Sequence, residues 1–148
     1  MFSGSLHILL ADDDEDDRVL FTDALNELKI KTKVHTVNDG IELMDYLAKN
    51  AKDLPQLLFL DLNMPWKNGF ECLKEIRSNL NMTEMAIAIF STSLAEKDIE
   101  ETFLNGANVY INKPNSFNGL KSVLNRVVLA ARSYQDTFYN KSNFLLRV

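Results

Sequence analysis

Acidic residues crowd near the start of the chain, where positions 12–17 read DDDEDD directly after the apolar ILLA. Another acid, Asp61, closes the apolar run LLFL; Ser91 and Thr92 close AIAIF, and VYIN runs into Lys113-Pro114. Carboxylates brought within a few ångströms of one another cannot all stay ionised without a compensating cation. Two cations suit such a group: the Lys113 ammonium, and a hard divalent ion held by carboxylate oxygens, a backbone carbonyl and water. Mg²⁺ fits best, because it keeps several waters and bridges one or two carboxylates to phosphate oxygens. An aspartate beside Mg²⁺ and an ammonium is a competent nucleophile toward phosphorus, since both cations neutralise charge on the equatorial oxygens. The Ser91 hydroxyl could then hydrogen-bond a transferred phosphoryl group.

Whether these groups meet depends on the elements that carry them. Five short apolar runs read as strands buried on both faces: Ile8–Ala11, Lys33–Val37, Leu57–Asp61, Ala86–Ser91 and Val109–Asn112. Between them the helical period recurs, at Phe21/Ala24/Leu25/Leu28, at Met44/Leu47/Ala48/Ala51 and at Leu120/Val123/Leu124/Val127, the last extended by Val128 and Ala131. Looser stripes run through Phe70, Leu73, Ile76 and Leu80 and through Ile99 and Phe103. Gly106 and Pro55 stand where helices should have ended. Strict alternation implies an α/β fold, a doubly wound five-stranded parallel sheet with helices on both faces. Ligands of such sheets bind outside the carboxyl ends of the strands, where all the polar residues named above fall.

A plainer reading competes for each. An acidic run is also what the first turn of a helix carries, and that is the reading taken for Glu15, Asp16 and Asp17. Asp12 and Asp13 sit directly on a strand end, where it is weaker. A lone strand-end aspartate is more often a cap or turn former; the case for Asp61 rests on four polar strand ends together. Cys72 is expected to be a buried thiol, His7 and His35 are too separated to pair on a metal, and Trp66 is expected to pack, with a partner contact the lesser reading.

The totals set bounds. A chain of 148 residues favours one domain, and 46% hydrophobic with 25% charged residues is the balance of a globular protein. A net charge of -5 disfavours nucleic acid and anionic membrane as partners. The single cysteine allows no internal disulfide and suits a reducing compartment. The N-terminal MFSGSLHILLADD has neither a basic region nor a long apolar run, so no signal peptide or membrane span is expected and the location is expected to be cytoplasmic.

The segments ILLADDD, FLDLNMPWKNGFE, IFSTS and YINKP together resemble the signature segments of response-regulator receiver domains, the CheY-like fold. The resemblance covers roughly residues 6–131 and implies the strand order 2-1-3-4-5, for which CheY is itself a standing example. It implies that Asp61 is the phosphoacceptor, that Asp13 binds Mg²⁺ directly and Asp12 through water, and that the backbone carbonyl of Asn63 adds a ligand. Ser91 resembles the switch hydroxyl, usually a threonine in the family. Thr92 stands where a small residue is common, and Lys113 resembles the phosphate-contacting lysine. A cis bond is expected at Lys113-Pro114, and Tyr110 resembles the aromatic that turns inward on activation. The implied partners are a histidine kinase or phosphotransfer protein and a downstream protein; the implied role is signal transduction without enzymatic turnover of a separate substrate. Stand-alone receivers serving phytochrome-type kinases are similar.

Two rivals remain. A haloacid-dehalogenase-type phosphatase shares the nucleophile, hydroxyl and lysine, but it needs Asp-x-Asp on its first strand, and Asn63 in Asp61-Leu62-Asn63 cannot serve as a general acid. A phosphorylation-independent docking module usually lacks one of the acids or the lysine, and none is lost here. The domain is expected to span 1–132, with 133–148 as a C-terminal extension too short for an output domain. That extension is rich in apolar residues, among them Tyr134, Phe138, Tyr139, Phe144, Leu145 and Leu146. It either folds back on its own domain or pairs with a second subunit to form a homodimer.

Overall fold

The computed structural model describes residues 4–132 and 144–146. Its elements are β1 (Leu6–Ala11), α1 (Glu15–Asn26), β2 (Thr32–Val37), α2 (Gly40–Lys49), β3 (Leu57–Leu60), α3 (Gly69–Ser78), a 3₁₀ turn (Leu80–Met82), β4 (Ala86–Ser91), α4 (Glu96–Leu104), β5 (Val109–Asn112), α5 (Phe117–Arg132) and β6 (Leu145–Leu146). All pairings are parallel, in the order β2-β1-β3-β4-β5-β6. The first five strands thus have the 2-1-3-4-5 order of the flavodoxin-like receiver fold. The sixth pairs Leu145 with Tyr110 and Leu146 with Ile111. This short strand had no expectation of its own, because two apolar residues carry no periodic signal. Within the described residues the tail therefore folds back on its own sheet; Tyr134, Phe138 and Tyr139 lie outside them.

The central strands bury both faces, as every residue of β3 does, so their side chains feed two cores. One lies under α1 and α5, with Phe21, Leu25, Leu124 and Val127 against Phe59 and Phe90. The rings of Phe21 and Phe59 meet edge to face at 4.9 Å. The other lies under α2 and α3, with Leu43, Leu47, Leu73 and Ile76 against Leu58, Leu60 and Ile89, and it reaches Tyr110 and Phe144. Each such buried apolar side chain contributes about 1.5–3 kcal/mol relative to exposure.

Four helices begin on side-chain caps, α5 among them, where Ser116 Oγ accepts the Gly119 N–H at 3.0 Å. Asp14, Asp39 and Asn68 accept from the backbone N–H of Asp17, Glu42 and Glu71, and Glu71 returns the bond to Asn68. The α3 start sits hard against the end of β3: a Cβ on Gly69 would lie 2.3 Å from the Asp61 carbonyl oxygen. Only glycine lets that helix approach the site backbone so closely.

Several expectations were displaced. The buried stripe of α2 is Leu43 and Leu47, while Ala48 is exposed and Ala51 lies past the helix end. Leu80 is 88% exposed, because α3 stops at Ser78 and the following 3₁₀ turn rotates it out of the stripe. Trp66 does not pack; it is 84% exposed, at φ 69° in a γ-turn closed by the Lys67 N–H on the Pro65 carbonyl at 2.7 Å. Among the described residues no helix is long and apolar enough to cross a membrane.

Candidate phosphoacceptor and metal site

Parallel register brings the polar strand ends to one rim. Ala11 pairs with Leu60 across β1 and β3, so Asp12 and Asp61 emerge side by side, and Leu60 pairs with Ile89 of β4. Ser91 pairs with Asn112, and the Lys113 N–H continues that ladder to the Ser91 carbonyl at 2.8 Å. Lys113 therefore leaves β5 already aimed across the rim.

Its ammonium meets three carboxylates: Asp12 Oδ2 at 2.9 Å, Asp17 Oδ2 at 2.9 Å and Asp61 Oδ2 at 3.3 Å. Asp12 is fully buried; its Oδ1 accepts the Asp14 N–H at 2.9 Å, and its carbonyl accepts Arg18 Nη1 at 2.8 Å. Asp61 is 6% exposed, and its Oδ1 accepts the Asn63 N–H at 3.3 Å. Burial pushes the Asp61 carboxyl up to about 6; Lys113 pulls it down and Asp12 pushes it up. Burial works against the charge of Lys113, but the hydrogen bond to Asp17 and the charges of Asp61 and Asp12 outweigh it and hold the ammonium above its ordinary value. Lys113 thus stays charged at any physiological pH.

Asp12, Asp13 and Asp61 each offer a carboxylate oxygen within 4.8 Å of the others. Asp12 and Asp61 are buried whereas Asp13 is exposed, so a cation there would have protein oxygens on one side and water on the other. An all-oxygen set with an open side suits a hard divalent ion that keeps part of its hydration shell. Asn63, two residues past Asp61, is exposed beside the same rim.

The hydroxyl side is organised separately. Ser91 is fully buried, and its Oγ accepts the Ser93 N–H at 3.1 Å. The Ser93 hydroxyl donates to Asp98 Oδ2 at 2.7 Å, and the Ser93 carbonyl accepts the Tyr110 hydroxyl at 2.8 Å. Thr92 is exposed at the rim. Tyr110 is fully buried and already turned inward, where Phe144 covers it with ring centroids 6.2 Å apart. Cys72 is buried, and burial pushes its thiol up to about 12, which leaves it inert.

Two corrections follow. The Lys113-Pro114 bond is trans, as are all peptide bonds among the described residues. The trans form is the intrinsic preference of an X-Pro bond by about 0.5–1 kcal/mol, and Lys113 reaches all three acids with it. Asp17 is more than part of an acidic helix turn, since it ion-pairs with a lysine 96 residues away. Nothing local distinguishes it from Asp16; the signal lies in the packing of α1 against α5, which brings its first turn to Lys113.

Comparison with known proteins agrees with this geometry. Residues 8–125 match the response regulator receiver domain family, and the chain belongs to it. It is 28% identical over 123 residues to the probable methanogenesis regulatory protein FilR2 of Methanothrix harundinacea (strain 6Ac), covering 81% of this chain and 79% of that one. The structure of the phosphorylated cyanobacterial phytochrome response regulator RcpA matches with a TM-score of 0.81 and 32% identity, over 89% of this chain and 97% of that one. The Mn²⁺-bound form of response regulator Rcp1 matches with a TM-score of 0.74 and 27% identity, over 82% and 90%; Rcp1 comes from Synechocystis sp. (strain ATCC 27184 / PCC 6803 / Kazusa). This is a receiver domain of two-component signalling, a class that partners with histidine kinases, with an acidic pocket of Asp12, Asp13 and Asp61 facing Lys113.

Proposed function

We propose that Asp61 accepts a phosphoryl group from a phosphohistidine of a kinase or phosphotransfer protein in a Mg²⁺-dependent reaction. The observation that carries this reading is the burial of Asp61 within reach of the Lys113 ammonium and of two further carboxylates. A carboxylate oxygen of Asp61 attacks phosphorus, the bond from phosphorus to the donor imidazole nitrogen breaks, and the released imidazole takes a proton from solvent. Mg²⁺ held by Asp12, Asp13, Asp61 and the Asn63 carbonyl would neutralise charge on the phosphoryl oxygens. Lys113 donates to one of those oxygens. The phosphorylated RcpA and Mn²⁺-bound Rcp1 structures support both parts by similarity.

Ser91 and Thr92 provide the response. When the Ser91 hydroxyl turns to the phosphoryl group, the Ser93 N–H loses its acceptor, and Ser93 is also bonded to Asp98 and Tyr110. The 91–98 segment and α4 then rearrange while Tyr110 exchanges its carbonyl partner, presenting an altered α4–β5–α5 face to a downstream protein. Tyr110 stays inward throughout, because Phe144 closes over it. The single buried thiol is compatible with a cytoplasmic setting.

Incubation with acetyl phosphate and Mg²⁺, followed by intact-mass spectrometry, tests the reading. A phosphate adduct on the parent and none on Asp61→Asn is the expected result. Rapid release of inorganic phosphate without an adduct would indicate phosphatase action instead, and no reaction would indicate a docking module.

A further inference from the structure

One acid at the rim belongs neither to the metal-binding trio nor to a strand end. Asp17 lies on the first turn of α1, and its Oδ2 is as close to Lys113 Nζ, at 2.9 Å, as that of buried Asp12, and closer than Asp61 at 3.3 Å. Its place is fixed from two sides. The Asp17 N–H donates to the capping Asp14 carboxylate, and Arg18 Nη1 donates to the Asp12 carbonyl, which ties the start of α1 to the end of β1. Lys113 is fixed in turn by its backbone bond to Ser91.

An ammonium has three N–H donors, and three carboxylates accept them here. A phosphoryl oxygen on Asp61 requires one of those donors to point at it. Asp12 is fully buried and cannot exchange the ammonium for water, whereas the Asp17 side chain is 36% exposed and can. We propose that Asp17 is a positioning residue: its carboxylate holds the Lys113 ammonium toward α1 and thereby restrains its turn to the phosphoryl group. This rests on Asp61 being the acceptor. The same carboxylate adds negative charge beside the path of an anionic phosphodonor, an effect of the same sign.

The test is the initial rate of labelling by acetyl phosphate at fixed Mg²⁺ and ionic strength in the full chain. Asp17→Asn removes the charge and keeps the shape, and it should label roughly three- to fivefold faster than the parent, the scale on which one partly exposed ion pair acts. Asp17→Glu, which restores a carboxylate, should return most of the way to the parental rate. Asp16→Asn makes the same change in net charge on the same turn at an exposed position, and it should stay at the parental rate. A rate for Asp17→Asn that is unchanged or lower overturns the proposal, as does equal acceleration by Asp16→Asn, which would mark a general charge effect. A parent that takes no phosphate overturns the reading of Asp61 first, and this proposal with it.

Discussion

The α1/α5 side of the sheet and the α4/β6 side are built to different standards. Under α1 and α5, three phenylalanines interlock edge to face, with Phe21 against Phe59 at 4.9 Å and against Phe90 at 5.8 Å. α5 alone buries Leu120, Val123, Leu124, Val127 and Val128. On the other side, α4 buries only Thr102, and Ile99 and Phe103 are partly covered. Its N-cap is Ala95, which offers no side-chain hydrogen bond, and part of its cover comes from Phe144, whose ring meets Phe103 at 5.2 Å. Asp12, Asp13 and Lys113 lead into the helices of the firm side, and the Ser91–Ser93–Tyr110 hydrogen bonds run along the loose one. The proposed switch would use that asymmetry, because a reaction site must be held still while its readout moves at modest cost.

The largest effect that would expose the contrast is Phe21→Ala. Removing a fully buried ring at the centre of the aromatic cluster should cost about 3–5 kcal/mol of global stability by denaturant titration. A loss under about 1 kcal/mol would mean that the firm side is not firm.

Next comes buried Asp61 itself. The raised Asp61 value means that the folded, metal-free protein binds more protons than the unfolded chain between about pH 4 and 6. The Asp61 contribution to stability therefore falls as pH rises through that window. Asp61→Asn should accordingly be more stable than the parent at pH 7 without metal, by about 1–3 kcal/mol, with the gain shrinking toward pH 4. Thermal melts of both proteins across that range check the sign, and a gain independent of pH would contradict it.

Phe144→Ala should be milder and more local. It should cost about 1–2 kcal/mol, at or below the usual range for deleting a buried ring, because β6 is only two residues long and can detach without unfolding the domain. The Tyr110 N–H, which donates to the Phe144 carbonyl at 2.8 Å, should lose hydrogen-exchange protection while β1 and β3 keep theirs. Equal loss across the sheet would erase the distinction between the two sides.

The smallest change is a gain. Ala95→Asp supplies the missing cap of α4 and should stabilise the helix by about 1 kcal/mol, slowing amide exchange over residues 96–99. If α4 is the moving part, this variant should also weaken the conformational response to phosphate without altering labelling of Asp61. Exchange measurements with and without acetyl phosphate would show whether it does.

Much of this architecture was legible in the chain itself. Each of the first five strands and each α-helix announces itself through a local run or period of apolar residues, and parallel alternation then sends Asp12, Asp61, Ser91 and Lys113 to one rim with no further information needed. Tertiary packing decided the rest. Nothing in the first turn of α1 separates Asp17 from Asp16 until α1 packs against α5, where one carboxylate meets the ammonium and the other meets water. The two residues of β6 have no period to read, and they become a strand only because β5 offers an open edge beside a pocket that Phe144 fills. Trp66 looks like a packing residue by type, yet the γ-turn after Pro65 turns it into solvent. Local periodicity is a property of neighbours along the chain; ion pairing, edge pairing and exposure depend on which distant surfaces meet, and the fold alone determines that.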